Sequence, residues 1–149
     1  MVQALGSKTI TQVGLIVRDV EATAKAYAEV FGVDVPQWSL TDPEDVAHTR
    51  YRGQPTKARA KLAFLDMGSV QIELIEPVGG PSTWQEFLDE HGEGVHHIAF
   101  VVDGMGEQID FLESKEMPLV QRGEYTGGRY AYIDSQAQLK VILELLEND

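Results

Sequence analysis

The chain has 149 residues, 43% of them hydrophobic, and no cysteine, which excludes disulfides, thiolate ligands and a thiol nucleophile and suits one domain with a sizeable core. With 24 acidic against 12 basic side chains and a net charge of −12, it lacks the dense basic footprint that nucleic acid requires. No apolar run nears the ~18 residues of a membrane span, and residues 1–12 carry no leader pattern, so a cytoplasmic protein is the expectation.

TITQVGLIVRD (9–19) is a short β-branched run that reads as a strand. Val20, Ala24, Tyr27, Ala28 and Phe31 then fall near helical spacing through 20–32, with Gly32 as the stop. A polar stretch rich in Asp, Pro and Gly fills 34–56, with AHTRYRG as a strand inside it. Residues 57–77 read as two strands about a tight turn at 66–69. The connector 78–93 carries a short helix with Ser82 or Thr83 as its N-cap.

The order then starts again. VHHIAFVVDG is a strand and 105–116 an amphipathic helix, with Ile109, Phe111 and Leu112 among its apolar positions. Two short strands flank Gly127 and Gly128, and 139–147 is a last strand. Setting QVGLIVRDVEA on HIAFVVDGMGE pairs Val13 with Ile98, Leu15 with Phe100 and Val17 with Val102. Setting IELIEP on LELLEN pairs Glu73 with Glu144 and Glu76 with Glu147. Each half is thus a βαβββ-like module, 9–77 and 94–147, and the two are expected to form one domain over 9–147, since either alone would expose an apolar sheet face.

Period-two alternation decides which side chains share a face. Val13, Leu15 and Val17 form one set and Gln12, Gly14 and Ile16 the other; Ile98, Phe100 and Val102 stand against His97, Ala99 and Val101. Glu73 and Glu144 sit on the faces opposite Ile72/Leu74 and Leu143/Leu145. Gln12, Glu73, His97 and Glu144 therefore occupy repeat-related positions. A carboxylate between apolar neighbours is costly to bury unless neutralised, and two such at equivalent places suggest a shared cation. Three oxygen donors and an imidazole suit one divalent ion such as Mn, Co, Ni, Mg or Zn. By the same alternation His96 belongs with Ile98 and Phe100, as a hydrogen-bonded core residue beneath the 105–116 helix. Glu76 and Glu147 read as solvent-facing. Five of the basic residues, Arg50, Arg52, Lys57, Arg59 and Lys61, cluster in 50–61. They read either as a solvated edge hairpin or as a counter-surface for an anionic substrate such as a phosphate-bearing thioester.

GEGVHHIAFVVD (92–103), QIELIEP (71–77) and VILELLE (141–147), set in a duplicated βαβββ chain, resemble the vicinal oxygen chelate (glyoxalase/bleomycin resistance/dioxygenase) superfamily, most closely its methylmalonyl-CoA epimerase and glyoxalase I branches. The resemblance implies an α+β fold in which duplicated βαβββ modules form a cupped, mostly antiparallel eight-stranded sheet with helices outside. It implies one divalent metal ion, commonly in a homodimer. The family's ligand positions fall on Gln12, Glu73, His97 and Glu144, and its last-strand Glu, here Glu144, often serves as both ligand and proton carrier. Such enzymes hold a carbonyl oxygen on the metal and stabilise an enolate while a carboxylate moves the α-proton.

The epimerases' second acid, before the third strand, has no clear counterpart; Glu44, Asp45 and His48 are candidates. Substrate-binding residues stay unassigned. The leading expectation is a metal-dependent epimerase or isomerase acting on an acyl-CoA-like small molecule. The alternative is a glyoxalase I-type lactoylglutathione lyase, whose ligand set matches well but whose glutathione-gripping arginines are not recognisable. Ring-cleaving dioxygenases hold iron with two His and a carboxylate, which Gln12 argues against. A non-enzymatic small-molecule binding (resistance) protein on the same fold would typically lack the metal set.

Overall fold

In the computed structural model, which describes residues 2–149, the chain runs β1 (Gln12–Ile16), α1 (Val20–Phe31), β2 (Ser39–Leu40), α2 (Glu44–Ala47), β3 (Arg50–Tyr51), β4 (Gln54–Pro55), β5 (Arg59–Asp66), β6 (Gln71–Val78), α3 (Thr83–His91), β7 (Gly94–Val101), α4 (Met105–Ser114), β8 (Leu119–Tyr125), β9 (Gly128–Ile133), α5 (Gln136–Leu139) and β10 (Ile142–Asn148). The first helix starts where Asp19 accepts the Ala22 N–H and stops at Gly32, whose φ of 67° lies in the left-handed region that glycine adopts most readily. Ser82 caps α3 by accepting the Gln85 N–H. No helix of the described residues is long and apolar enough to cross a membrane.

All ten strands join one curled α+β sheet in the order β2-β5-β6-β1-β7-β10-β9-β8-β3-β4. β1 runs parallel to β6 and β7 parallel to β10, while the other pairings, including the central β1–β7 contact, are antiparallel. Read outward from that contact, the strands run β6, β5, β2 on one side and β10, β9, β8 on the other. The extra pair beyond the expected eight is the β3–β4 hairpin, turned at Arg52 and Gly53, both with positive φ. This hairpin leaves the first half of the chain and pairs with β8 of the second, so the halves are interlocked rather than self-contained. The last strand begins at Ile142 rather than 139, because 136–139 turn into α5.

Two of the helices lie outside, as expected. α1 covers Val17, Ala63, Leu65 and Leu74, and α4 packs on Phe100, Ala131, Leu143 and Leu145. The expectation that all helices lie outside fails for α3. Its Trp84 packs against Ile16, Ile75, Tyr132 and Ile142, on the concave face. Amphipathic spacing shows that a helix must cover something, not which side of a sheet it covers.

Glu76 and Glu147 are not the solvent-facing residues that strand alternation suggests. Glu76 accepts the Val20 N–H at 2.9 Å and Glu147 the Met105 N–H at 3.1 Å, so each holds the first turn of the helix in its own half. Unpaired N–H groups and the positive helix end favour a carboxylate there. The basic cluster is largely used within the fold. Arg52 donates to Glu86 and Tyr51, Arg59 donates to the Thr41 carbonyl, and Lys61 lies 3.5 Å from Glu76 and over the Trp38 ring. Only Arg50 and Arg52 belong to the β3–β4 edge hairpin, whereas Arg59 and Lys61 lie on β5, between β2 and β6.

Candidate metal centre

Four adjacent central strands each deliver one polar side chain to the concave face: Glu73 from β6, Gln12 from β1, His97 from β7 and Glu144 from β10. Register explains the convergence. Gly14 lies opposite both Glu73 and His97, and Ala99 lies opposite both Gln12 and Glu144. Small residues at these two repeat-related positions leave room for the larger side chains around them. The His97 ring lies directly over Gly14. All four groups are buried: His97 is 0% exposed, Glu144 4%, and Gln12 and Glu73 7% each.

The donor atoms crowd together. His97 Nε2 lies 3.1 Å from Glu144 Oε1, 3.5 Å from Glu73 Oε1 and 2.9 Å from the Gln12 amide. That same amide atom lies 3.1 Å from Glu144 Oε1 and 3.2 Å from Glu73 Oε1. Donors at right angles around an ion at ~2.1 Å stand about 3 Å apart, so these separations suit one small divalent cation. Placed as an oxygen, the Gln12 atom faces only acceptors, an arrangement that a cation among them satisfies. Turned to its nitrogen, it would donate to the carboxylates instead. Two buried carboxylates are balanced by a charge of +2. The donor set fits the ion, and Gln12, Glu73, His97 and Glu144 are the residues that would hold it.

His96 departs from its expected face. β7 carries a bulge against β1: Gly14 pairs with His97 but Leu15 pairs with Val95, leaving His96 without a partner. A bulge re-aims a side chain, and here both histidines turn toward the concave side. His96 is fully buried and hydrogen-bonded, but between the edges of Phe87 and Tyr132 beneath α3, not beneath α4.

Above the four donors opens a cavity of about 450 Å³, walled by Leu62, Phe64, Trp84, Tyr130, Tyr132 and Leu146 and reached by Asp42 and Glu124. None of the five basic residues of 50–61 lines it. Of the candidate second acids, Glu44 and Asp45 do not reach the cavity either. His48 does not line it, although its Nδ1 lies 2.7 Å from Glu124, which does. Tyr130 and Tyr132 were missed from the sequence, although their two-residue spacing in GGRYAYID, with Tyr132 opposite Glu144, places both on the inner face. Burial raises both phenols above their ordinary range, so they face the cavity protonated.

Burial, and then the neighbouring Glu144, push the Glu73 carboxyl well above the usual carboxylate range. Burial lowers the His97 imidazole, but Glu144 and Glu73 outweigh it and the net direction is up. Both groups hold a proton more tightly folded than unfolded, so their stabilising effect is present at low pH and lost as pH rises through the folded values. His96 has the opposite sign, held down by burial and by His97, and costs stability only below about pH 6.5. Protein stripped of divalent ions is therefore expected to melt at falling temperature from about pH 7 to 9, with added Mn2+ or Co2+ flattening the trend. A melting temperature that climbs across this window in the stripped protein would contradict the assignment.

The model of the glyoxalase/bleomycin resistance protein/dioxygenase superfamily matches residues 11–132. The uncharacterized protein YqjC of Bacillus subtilis (strain 168) is 35% identical over 92 residues, covering 60% of this chain and 66% of that one. Human mitochondrial methylmalonyl-CoA epimerase is 25% identical over 109 residues, 72% of this chain and 54% of the relative. The matched part thus spans between about half and two thirds of these relatives. A Streptomyces coelicolor methylmalonyl-CoA epimerase variant, solved in complex with 2-nitronate-propionyl-CoA, is similar in fold at 22% identity, with a TM-score of 0.62 over 97% of this chain and 99% of that one. With a family model matching most of its length and the curled sheet that such relatives share, the chain belongs to the glyoxalase/bleomycin resistance protein/dioxygenase superfamily.

Proposed function

We infer that this protein is a divalent-metal-dependent enzyme that moves a proton on the carbon next to a carbonyl, as an epimerase of an acyl-CoA-like thioester. The observation that carries this reading is the buried set of Gln12, Glu73, His97 and Glu144, the first, second and fourth of which line the cavity. The matched human relative is an epimerase by name, and the Streptomyces epimerase is held with a propionyl-CoA analogue. Gln12, Glu73, His97 and Glu144 would hold a divalent ion, which when bound would supply Lewis-acid charge to a substrate carbonyl. Glu144, facing the cavity from β10, takes the α-proton from one face of the carbon, and inversion then requires a proton delivered to the opposite face. Trp84, Leu62 and Phe64 exclude water around the reacting carbon. The Tyr130 and Tyr132 phenols stay protonated beside Glu144.

Methylmalonyl-CoA in D2O provides the test. Protein reconstituted with Co2+ or Mn2+ is expected to exchange the α-proton for deuterium, and chelated protein to lose that exchange. An absence of exchange by metal-loaded protein across a panel of 2-substituted acyl-CoA thioesters would overturn the thioester reading. Conversion of a glutathione hemithioacetal in its place would assign the lyase alternative.

A further inference from the structure

His96 is buried at the site yet contributes nothing to the four-donor set. Its Nδ1 lies 2.9 Å from His97 Nδ1 and its Nε2 3.1 Å from the Thr83 hydroxyl. Thr83 is itself anchored, as the first residue of α3, with its backbone N–H donated to the buried Gln121 amide at 2.8 Å. Phe87 and Tyr132 meet the His96 ring edge-on, at centroid distances of 5.4 and 5.0 Å, so it cannot swing away. Such a chain of fully satisfied polar groups exists on this face only because the β7 bulge turns His96 inward.

Two imidazole nitrogens 2.9 Å apart share a single proton, and its position decides what His97 can do. If His97 Nδ1–H donates to His96, the His97 Nε2 lone pair is free to point at Gln12, Glu73 and Glu144. If His96 donates instead, His97 carries its proton on Nε2 and turns an N–H toward the place an ion would occupy. We propose that His96 is a positioning residue that accepts from His97 Nδ1–H, donates through Nε2 to Thr83, and so fixes the tautomer and orientation in which His97 binds a divalent ion. Metal-ligating histidines generally lean on such a partner, most often a carboxylate or a backbone carbonyl; here a second histidine and a helix-terminal hydroxyl take that part. The proposal rests on the metal-centre reading above.

The test compares Co2+ affinity, measured by competition with a chelator, in the unaltered chain and its variants. His96→Ala is expected to weaken Co2+ binding about 10- to 100-fold. His96→Asn, whose side-chain oxygen can still accept from His97, should recover part of that loss. Binding by His96→Ala within twofold of the unaltered chain would overturn the proposal. Should His96→Ala fail to fold, nitrogen NMR of the unaltered Zn2+-loaded protein decides alone. The proton is expected on Nδ1 of His97 and Nε2 of His96, and a proton on His97 Nε2 sinks the proposal. If the unaltered chain takes up no Co2+, and His97→Ala changes nothing, the metal centre itself is wrong and this proposal falls with it.

Discussion

Glu144→Gln is expected to keep its divalent ion and lose at least about 100-fold in the rate of α-proton exchange. The substitution separates two roles that one carboxylate combines in the proposed mechanism. An amide oxygen at position 144 still offers a metal donor, as Gln12 already does from the repeat-related half. It cannot take up a proton. Glu73→Gln removes the same charge from the same buried cluster, 3.5 Å from His97 Nε2 against 3.1 Å for Glu144. It should likewise keep the ion when that is supplied in excess, and slow exchange far less. Metal stoichiometry and deuterium incorporation, measured on both variants, check the claim together. Equal losses of exchange in the two variants would remove Glu144 as the proton carrier and leave both carboxylates as ligands only.

The inward-facing set was legible because strands have a period of two and the concave face is buried almost everywhere. Gln12, Glu73 and Glu144 follow from that period and from the repeat. His97 follows too, since Ile98, Phe100 and Val102 lie on the convex side as the alternation requires. His96 escaped the same logic because a bulge is a property of two paired strands. The sequence of β7 alone shows no extra residue, and only its pairing with Gly14 and Leu15 reveals one. The placement of α3 was hidden for a related reason. Its apolar side is readable from Trp84, Phe87 and Leu88, but the surface it covers is chosen by the curl of the sheet. Glu76 and Glu147 looked like ordinary exposed strand residues because the N–H groups they accept from belong to helices 56 and 42 residues away. The β3–β4 hairpin depends on an edge of β8 that lies far along the chain.

Gly14→Ala should cost stability and the metal together. A methyl group on residue 14 would stand 2.5 and 2.6 Å from the two His97 ring nitrogens, well inside van der Waals contact. The ring has nowhere to go, since His96 holds its other side at 2.9 Å and Tyr132 packs against it at a centroid distance of 5.2 Å. Overpacking a buried site in this way costs about 1–3 kcal/mol. Any relief must carry His97 Nε2 away from Gln12, Glu73 and Glu144, so metal affinity should fall by at least about 10-fold. The double variant Gly14→Ala/His97→Ala distinguishes the clash from a backbone effect. Removing the ring should restore most of the lost stability while leaving metal binding absent, a non-additivity expected of residues in direct contact. Thermal denaturation and Co2+ titration on the two single variants and the double variant give the full cycle. Gly14→Ala with unaltered metal affinity would mean that the His97 ring does not lie over residue 14, and the geometry drawn for the centre would have to be given up.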